Sequence, residues 1–436
     1  MIAVVGGGYA GLAASKRLLD AGKEVTLYEA ADELGGLAAT YETNGDPIEQ
    51  FYHHLSKSEQ TIVDLIEELG LEDRLEWRVG KNAFYVDGRV HPLDTLWQIA
   101  AYPHLSFYDK FRLGMLTLGI DVRGGIPNRG VYESYEDYDD IPVREFILEH
   151  TTEGVYRSFF EPLLAAKFGD RVEDVSAAWL LGRIHFRGER DLRRGEILGY
   201  LDGGFGQLTD ALIDAVGPDR LETGTRVTDI ELDGSVESIV VEGPDGSVER
   251  DVDGVVVATM PHVLEALTGY PNRIDFQGTV CSVIATEDAI TDTYWLNIAE
   301  EAPFGALIDH TNFVPADRYG GEHLLYVARY VQNLDGAFWN LDDAAIEDRW
   351  LGGIESMFPD FDRSQVSWMR TARRARTAPV YDTGYLERIV PYDLSEEIGE
   401  GLYYAGMASR AQYPERSLNG AIEAGFSAAD GLLDSA

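Results

Sequence analysis

The stretch Ile2-Ala3-Val4-Val5-Gly6-Gly7-Gly8-Tyr9-Ala10-Gly11 decides the fold of this chain. The apolar run 2–5 predicts a buried strand and the stretch 12–21 predicts a helix, so the glycines form the turn between them. Gly6 permits a tight turn, Gly8 leaves room for a pyrophosphate, and Gly11 allows the helix to pack closely on the strand. The helix N-terminus, with Tyr9 and Ala10, would offer N–H groups and a positive dipole end to phosphates.

A second strand and an acidic residue complete this pattern. Residues 24–28 read as a strand, and Glu29 follows it directly. A strand, a G-x-G-x-x-G turn, a helix, a strand and an acid within about 30 residues are typical of a dinucleotide site, where the acid accepts hydrogen bonds from ribose hydroxyls. The alternative is a merely structural glycine turn.

The residues after Glu29 indicate which dinucleotide is bound. The run Gly35-Gly36-Leu37-Ala38-Ala39-Thr40 resembles the extended motif of the FAD-binding amine oxidase superfamily, which includes monoamine oxidases, protoporphyrinogen oxidases and phytoene desaturases. The resemblance implies FAD as cofactor, with Gly35, Gly36 and Leu37 beside it. Leu37 stands where the family usually has Arg, which removes one expected phosphate or ring contact. A Gly-Gly surface turn is the alternative.

The far end of the chain is similar to the flavin segment of the same family. Residues 401–406 read as a strand that runs into a glycine turn, and residues 419–425 begin a helix. The resemblance implies that this helix points its positive end at the flavin pyrimidine ring. It assigns cofactor contacts to Gly406, Met407, Asn419, Gly420 and Ala421. Met407 replaces the usual Asp, so we expect a different flavin potential.

A mid-chain segment supplies the third piece of the predicted FAD domain. A glycine-rich turn at 203–208 precedes a helix, and in relatives the position of Val227 places its backbone against adenine. We predict an α/β fold with a Rossmann-like FAD-binding domain of the GR2 type and a discontinuous α+β substrate domain. The FAD-binding domain takes residues 1–55, 195–265 and 396–436. The substrate domain takes 56–194 and 266–395, with a helical part and a mixed or antiparallel sheet over the flavin.

The composition is strongly acidic. The 436 residues include 76 Asp and Glu against 36 Lys and Arg, which gives a formal net charge of -40. Acidic side chains spread along the whole chain repel one another in low salt, and high salt screens this repulsion. We therefore predict a halophilic cytoplasmic protein. A cationic partner is the alternative, and nucleic acid is disfavoured because its phosphates would be repelled. The single Cys281 excludes an internal disulfide and favours a reducing compartment.

We expect neither a membrane span nor a signal peptide. The apolar runs are shorter than the roughly 18 residues that a span requires, and the first one lacks a preceding charged region. The aromatic stretch Trp97–Ile120 has two interpretations. The first is a helical hairpin under the substrate domain. The second is an interfacial patch through which a lipid-like substrate would enter from a membrane surface.

Two regions supply the first catalytic candidates. His53 and His54 follow the Gly35-Gly36 turn by one predicted hairpin, which in relatives returns the chain to the flavin. One of them would hydrogen-bond flavin or substrate or relay a proton, because adjacent side chains in an extended segment point to opposite sides. Lys167 would hold a water or stabilise reduced flavin. The alternatives are structural histidines and an ordinary salt bridge, and we expect no metal site.

An arginine cluster before Pro379 supplies the remaining candidates. Arg376 would bind a carboxylate or phosphate of the substrate, and Tyr381 would pack on it. A solvated basic face is the alternative.

The sequence therefore predicts an FAD-dependent oxidoreductase similar to amine oxidases and protoporphyrinogen oxidases. A small or hydrophobic substrate would be oxidised at C–N or C–C by hydride transfer to flavin N5, with oxygen or another acceptor taking the electrons. Two alternatives remain. One is a non-redox mutase resembling UDP-galactopyranose mutase, and the other is a flavin-binding protein without catalysis.

Overall fold

The computed structural model describes residues 1–186, 190–191, 194–244 and 246–435. The strands, in chain order, are β1 Ile2–Val5, β2 Val25–Tyr28, β3 Thr40–Tyr41, β4 Ile48–Glu49, β5 Leu55–Ser56, β6 Leu75–Gly80, β7 Asn82–Val86, β8 Arg89–Pro92, β9 Ile120–Asp121, β10 Asn128–Arg129, β11 Arg190–Asp191, β12 Gly195–Leu201, β13 Leu221–Glu222, β14 Arg226–Leu232, β15 Val236–Gly243, β16 Gly246–Asp251, β17 Gly254–Val257, β18 Phe276–Thr286, β19 Trp295–Ile298, β20 Ala306–Asp309, β21 His323–Val331, β22 Val366–Pro379 and β23 Leu402–Tyr404. The α-helices are α1 Tyr9–Asp20, α2 Gln60–Glu68, α3 Leu96–Ala101, α4 Phe107–Thr117, α5 Val143–His150, α6 Glu153–Val155, α7 Glu161–Phe168, α8 Ala177–Phe186, α9 Gly206–Val216, α10 Pro261–Thr268, α11 Asp343–Met357 and α12 Leu418–Ser435.

A parallel sheet in the order β13-β2-β1-β17-β23 carries the nucleotide-binding turn. Both β1 and β17 are buried along their whole length, as expected for apolar runs that are covered on both faces. The sheet joins segments from both ends and the middle of the chain. It is Rossmann-like, and the predicted α/β class is confirmed.

The helices α1 and α12 cover this sheet and pack directly on each other. A Cβ added at Gly425 of α12 would lie 2.2 Å from the carbonyl oxygen of Ala10 in α1. Such an approach is possible only where a residue has no side chain. Because Gly425 has no side chain, α12 packs against the first turn of α1, beside the first glycine loop.

A mixed sheet in the order β22-β18-β21-β20-β19-β7-β8 forms the second large layer. Its pairs are antiparallel except for β19 with β7. The side chains of β18 alternate as a strand requires. Val280 and Ile284 pack in a cluster with Trp350 of α11, whereas Cys281 and Val283 belong to the core that includes α1.

The helices α3 to α8 make a third region beside the mixed sheet. One π-helical turn, Tyr156–Phe160, links α6 to α7 and so carries the chain toward Lys167. No helix among the described residues is long and apolar enough to cross a bilayer. The boundaries that we predict for the FAD and substrate domains stay a prediction.

Candidate functional site

The first glycine loop leaves an opening at the N-terminus of α1. Gly6 has φ +110°, and a Cβ there would lie 2.6 Å from the carbonyl oxygen of Ala258. A Cβ at Gly11 would lie 1.9 Å from the carbonyl oxygen of Gly6, so helix and strand touch at this point. A Cβ at Gly8, by contrast, would meet no atom of the described residues within 4 Å. The loop is closed on its protein side and open where a pyrophosphate would lie.

The carboxylate of Glu29 fixes this loop from the end of β2. One of its oxygens accepts a hydrogen bond of 2.7 Å from the backbone N–H of Gly7, and the other accepts one of 2.7 Å from that of Ala31. The side chain is half-buried, so its edge remains reachable from the opening. The ribose contact that we assign to Glu29 stays a prediction.

The second glycine pair lies over the first loop. Gly35 donates a hydrogen bond of 2.9 Å to the carbonyl oxygen of Gly7, and a Cβ at Gly36 would lie 3.3 Å from the Cα of Gly8. Leu37 is half-buried in the 3₁₀ turn that follows. The two glycine motifs are therefore one structure, which argues against an isolated surface turn.

The C-terminal segment closes the other side of this opening. A Cβ at Gly406 would lie 1.8 Å from the carbonyl oxygen of Thr259, and one at Gly420 would lie 2.3 Å from that of Ala411. Met407 is half-buried beside the first of these glycines. Both glycines are thus required by close backbone approach.

The remaining predicted cofactor residues have mixed surroundings. Asn419 uses its side-chain oxygen to accept a hydrogen bond of 2.9 Å from the N–H of Ile62, so this side chain holds α2 in place. Ala421 lies in the first turn of α12. Val227 is buried in β14, and the register of β14 with β15 shifts immediately after it. The whole arrangement fits FAD, since the open cradle at Gly8 offers a pyrophosphate space and N–H donors.

A group of side chains beyond the glycine loops lies around one concave region, which we call the cavity. Each of them is partly exposed and closely surrounded by protein. They come from the segment after β4, from α7, from β21 and from the approach to α12: Tyr52, His53, Lys167, Tyr330 and Arg416. His53 also contacts Phe205 edge-on at 6.4 Å, next to the start of α9.

The two histidines have different environments, as the alternation of an extended segment predicts. Nδ1 of His53 lies 2.6 Å from the carbonyl oxygen of Phe51. A carbonyl oxygen only accepts, so Nδ1 carries the proton and Nε2 is the acceptor nitrogen. Burial lowers the pKa of His53 to about 4, the hydrogen bond to Phe51 opposes this, and the charge of Arg416 adds to it. His53 is therefore neutral at pH 7.

His54 points to the mixed sheet and away from the cavity. Its Nδ1 lies 2.9 Å from the hydroxyl of Tyr294, and its ring meets the ring of Trp295 edge-on at 6.0 Å. These contacts are those of a structural histidine. Of the two candidates, His53 is the one that we place beside the cavity, next to Arg416.

Lys167 lies among aromatic rings with one acidic neighbour. Its Nζ is 3.5 Å from a carboxylate oxygen of Glu415 and 5.0 Å from the centre of the Trp179 ring. Burial lowers the pKa of Lys167 to about 8, while Glu415 raises it and Arg183 lowers it further. The salt bridge that we considered as the alternative is present, with Glu415. Lys167 nevertheless remains mostly buried, so it is not an ordinary surface ion pair.

Tyr381 belongs to the same cluster as Lys167. Its ring stacks on Trp179 with centres 5.8 Å apart, and Lys167 Nζ lies 5.6 Å from its centre. Burial raises the pKa of Tyr381, so its hydroxyl remains protonated. The hydroxyl finds no hydrogen-bond partner within the part of the chain that the structure describes.

Arg416 and Tyr330 are cavity residues that sequence reasoning missed. Arg416 donates a hydrogen bond of 2.7 Å to the carbonyl oxygen of Thr377 and one of 3.3 Å to the hydroxyl of Tyr330. Tyr330 also lies 3.3 Å from the hydroxyl of Tyr52. Burial alone would raise the pKa of Tyr330, but the positive charges of Arg416 and Lys167 outweigh it and lower that pKa. The sequence signal that could have identified Arg416 was its position two residues before the last helix.

The predicted arginine cluster lies elsewhere. Arg376 is exposed on β22. Burial lowers the pKa of His262, and the positive charge of Arg376 lowers it further. Arg370 and Arg373 bind backbone carbonyl oxygens of Glu42, Trp339 and Leu341. This arrangement agrees with the alternative of a basic face, and it places Arg376 outside the cavity wall.

The described residues contain no group of three or more His, Cys, Asp or Glu side chains that would hold a metal ion. Cys281 is buried, and burial raises the pKa of its thiol to about 12. The titratable side chains around the cavity include His53, Lys167 and the two tyrosines Tyr52 and Tyr330.

Comparison with known proteins agrees with this geometry. The model of the family "flavin containing amine oxidoreductase" matches residues 9–433. The zeta-carotene desaturase of Synechocystis sp. is 23% identical over 489 residues, which span 99% of this chain and 97% of that protein. The cyclohexylamine oxidase of Brevibacterium oxydans IH-35A has a TM-score of 0.69 at 18% identity, over 99% of this chain and 98% of that one. Reduced UDP-galactopyranose mutase has a TM-score of 0.75 at 18% identity, over 100% and 96%.

A parallel Rossmann-like sheet and two interlocked glycine loops are typical of a dinucleotide-binding protein. The chain belongs to the flavin containing amine oxidoreductase family. It is an FAD-dependent oxidoreductase, as the sequence motifs predict.

Proposed function

We propose that this protein oxidises a small-molecule substrate at a C–N or C–C bond inside the cavity lined by His53, Lys167, Tyr330 and Arg416. FAD bound at the two glycine loops would supply the oxidising power and accept a hydride at its N5 atom. The substrate loses that hydride from carbon and a proton from the adjacent nitrogen or carbon, so its new double bond balances the two electrons that leave.

His53 is the residue that we propose to accept the proton. Its Nδ1–H is held by the carbonyl oxygen of Phe51 at 2.6 Å, which leaves Nε2 as a basic nitrogen with a fixed ring orientation. A neutral histidine with an acceptor nitrogen is the protonation state that a base requires. This observation carries the proposal that the cavity is a reaction site.

The chain's residues have separate roles in this proposal. Gly6, Gly8 and Gly11 with the first turn of α1 would hold the pyrophosphate, and Glu29 would hold the adenosine ribose. The cavity walls would exclude bulk water, and the aromatic cluster around Lys167 and Tyr381 would position the substrate. The aromatic rings around Lys167 would suit a hydrophobic part of the substrate, and oxygen or another acceptor would then take the electrons.

A screen of flavin reduction tests this function. Holoprotein in concentrated salt is mixed without oxygen with amines, porphyrinogens, polyprenoids and nucleotide sugars, and loss of the visible flavin absorbance is followed. We expect one class to bleach the flavin with no added reductant. Absence of bleaching with all four classes would contradict the oxidase proposal.

A mutase is the second candidate because the structural neighbours include reduced UDP-galactopyranose mutase and because Arg416, Tyr52 and Tyr330 form one hydrogen-bonded group. Isomerisation of a nucleotide sugar that requires pre-reduced flavin, with no net redox change, would favour it. A flavin that neither reacts with any class nor supports isomerisation would leave a binding protein without catalysis.

We further propose that the protein works in a salt-rich, reducing cytoplasm. The net charge of -40 supports the first part, because such repulsion is tolerable where salt screens it. The single buried cysteine supports the second.

A further inference from the structure

Arg416 is a half-buried guanidinium whose strongest electrostatic partners are phenols. It donates a hydrogen bond of 2.7 Å to the carbonyl oxygen of Thr377 and one of 3.3 Å to the hydroxyl of Tyr330. Burial lowers the pKa of Arg416, and Tyr330, Tyr52 and Tyr381 raise it. A buried cation is stabilised by a facing anion. The group that is placed to supply this negative charge is the phenol oxygen of Tyr330, which Arg416 contacts directly.

Tyr330 is held between two hydrogen-bond donors. Its oxygen accepts from Arg416 on one side and lies 3.3 Å from the hydroxyl of Tyr52 on the other. Burial raises the pKa of Tyr52 and the neighbouring Tyr330 raises it further, so Tyr52 keeps its proton and donates a hydrogen bond to Tyr330. Two donors stabilise an oxygen atom most when it carries a negative charge. This geometry therefore favours the phenolate form of Tyr330.

The charged groups around Tyr330 act in the same direction. Burial raises the pKa of Tyr330, but the positive charges of Arg416 and Lys167 outweigh burial and lower it. Glu415 lies 3.5 Å from the Nζ of Lys167 and favours its charged form. The neighbouring strand β18 places the uncharged Thr279 opposite Tyr330. Tyr330 is therefore a stronger acid than an ordinary tyrosine.

His53 and Tyr330 are suited to opposite roles in the same group of side chains. Burial lowers the pKa of His53 to about 4, so its ring is a neutral proton acceptor at pH 7. Tyr330 carries a hydroxyl proton that it loses readily, because the conjugate base is stabilised. The charge of Arg416 contributes to both shifts. A base and an acid tuned in this way can each transfer one proton of a reaction.

We propose that Tyr330 is a catalytic acid of this protein and gives its hydroxyl proton to an oxygen atom of the electron acceptor. The inference rests on the proposed oxidation and extends it to the second half of the cycle. The acceptor takes two electrons and one hydrogen from the reduced cofactor and one proton from Tyr330. A quinone thus leaves as a hydroquinone, and dioxygen leaves as hydrogen peroxide. The remaining phenolate is held by Arg416 and Tyr52 and regains a proton from water.

The proton balance of the proposed reaction calls for a donor beside the base. During oxidation the substrate gives a hydride to the cofactor and a proton to His53. An acceptor that ends with a new O–H bond needs one proton in a later step. Tyr330 offers this proton from an oxygen that two neighbours fix in place, and the protonated His53 is the other source. Variants of the two residues separate these sources.

Near-ultraviolet absorbance tests the acidity of Tyr330 without turnover. FAD-loaded protein in concentrated salt is titrated from pH 6.5 to 10.5, and the absorbance of phenolate is followed. The chain has 23 tyrosines, so the signal of Tyr330 is taken as the difference between the parent protein and Tyr330→Phe. We expect one ionisation at least one pH unit below that of free tyrosine amide. A difference that appears only where free tyrosine amide ionises would overturn the inference.

Three variants examine the surroundings of this ionisation. Tyr52→Phe removes one of the two donors, and Lys167→Met removes one of the two charges, so each should move the ionisation of Tyr330 to higher pH. Tyr108→Phe removes an exposed tyrosine on α4 and is the matched control, which should leave the early ionisation in place. Loss of the early ionisation in Tyr108→Phe would assign it to another tyrosine and overturn the inference.

Reoxidation tests the proton transfer and needs no substrate. Holoprotein is reduced by light without oxygen and is then mixed rapidly with dioxygen or with a water-soluble neutral quinone. The acceptor that reacts faster with the parent protein distinguishes the two sources of acceptor oxygen. With that acceptor, Tyr330→Phe should slow reoxidation by a factor of about 100 to 10,000 while FAD content and melting temperature stay near those of the parent.

The pH dependence of reoxidation identifies the donor. In the parent protein the rate should fall as pH rises through the ionisation of Tyr330, because the phenolate has no proton to give. Lys167→Met retains the phenol, so its profile should keep this fall at higher pH, whereas Tyr330→Phe should lose it. Equal rates in Tyr330→Phe and the parent, or slow reoxidation in His53→Ala alone, would overturn the inference. A failed substrate screen with Tyr330-dependent reoxidation would count against the proposed substrate oxidation alone.

Discussion

Gly425 in the last helix contacts Ala10 in the first one with no space for a side chain, since a Cβ at Gly425 would lie 2.2 Å from the carbonyl oxygen of Ala10 and 3.0 Å from the amide nitrogen of Ala14. Both neighbouring atoms are backbone and neither rotates away. The position of α12, and with it the C-terminal side of the FAD opening, depends on this contact.

Replacing Gly425 by Val should lower stability, because the two helices must separate to accommodate the side chain. Overpacking of this kind costs about 1–3 kcal/mol. Thermal unfolding of the purified holoprotein measures the effect. Gly114→Val is the control, since a Cβ there meets no described atom within 4 Å. An unchanged melting temperature for Gly425→Val would show that the helices are not held by this contact.

Gly8→Val should leave the protein folded and remove FAD. A Cβ at Gly8 meets no atom of the described chain, so the side chain clashes only with the pyrophosphate that we place there. The flavin-to-protein absorbance ratio and circular dichroism check the two parts. Gly11→Val should instead fail to fold, because its Cβ would lie 1.9 Å from the carbonyl oxygen of Gly6. A yellow Gly8→Val protein would refute the assigned phosphate site.

His53→Ala should slow flavin reduction by a factor of about 100 to 10,000 while the FAD content stays nearly constant, because it removes the proposed proton acceptor. His54→Ala should have a mild effect on reduction, since His54 contacts Tyr294 and Trp295 in the sheet. Stopped-flow reduction with the substrate found by screening separates the two. Equal rates in both variants and in the parent protein would make both histidines structural.

The melting temperature should rise strongly with salt. At 0.1 M salt the Debye length is about 10 Å and much of the acid–acid repulsion persists, whereas at 1 M it is about 3 Å. Thermal melts in potassium chloride from 0.1 to 3 M measure the shift, and matched sucrose solutions control for solute exclusion. Equal melting temperatures throughout would contradict the halophilic assignment.

The nucleotide loops could be predicted from the sequence because their requirements are local. Gly6, Gly8, Gly11 and Glu29 are constrained by turn geometry and by a short strand–helix–strand unit, and a fixed spacing expresses both. The cavity could not be predicted in the same way. The pairs Lys167–Glu415 and Tyr52–Tyr330 join residues that are distant in sequence, so their meeting depends on the order of strands and helices.

Arg376 and Arg416 illustrate the same limit. Residues 374–376 of β22 are all exposed where its register with β18 shifts, and burial resumes at Thr377. This local irregularity leaves Arg376 on the outside. Arg416 then reaches the carbonyl oxygen of Thr377 from the approach to α12. We predicted Arg376 from its position before Pro379, but tertiary structure decides which arginine lies beside the cavity.

The strand order β13-β2-β1-β17-β23 has a consequence for biosynthesis. The neighbour β17 of the first strand begins at Gly254, and β23, which pairs with β17, begins at Leu402. During synthesis one edge of β1 therefore stays unpaired until β17 has been made, and one edge of β17 stays unpaired until β23 has been made. We expect FAD to be held stably only after α12 has been added, because its glycines complete the opening.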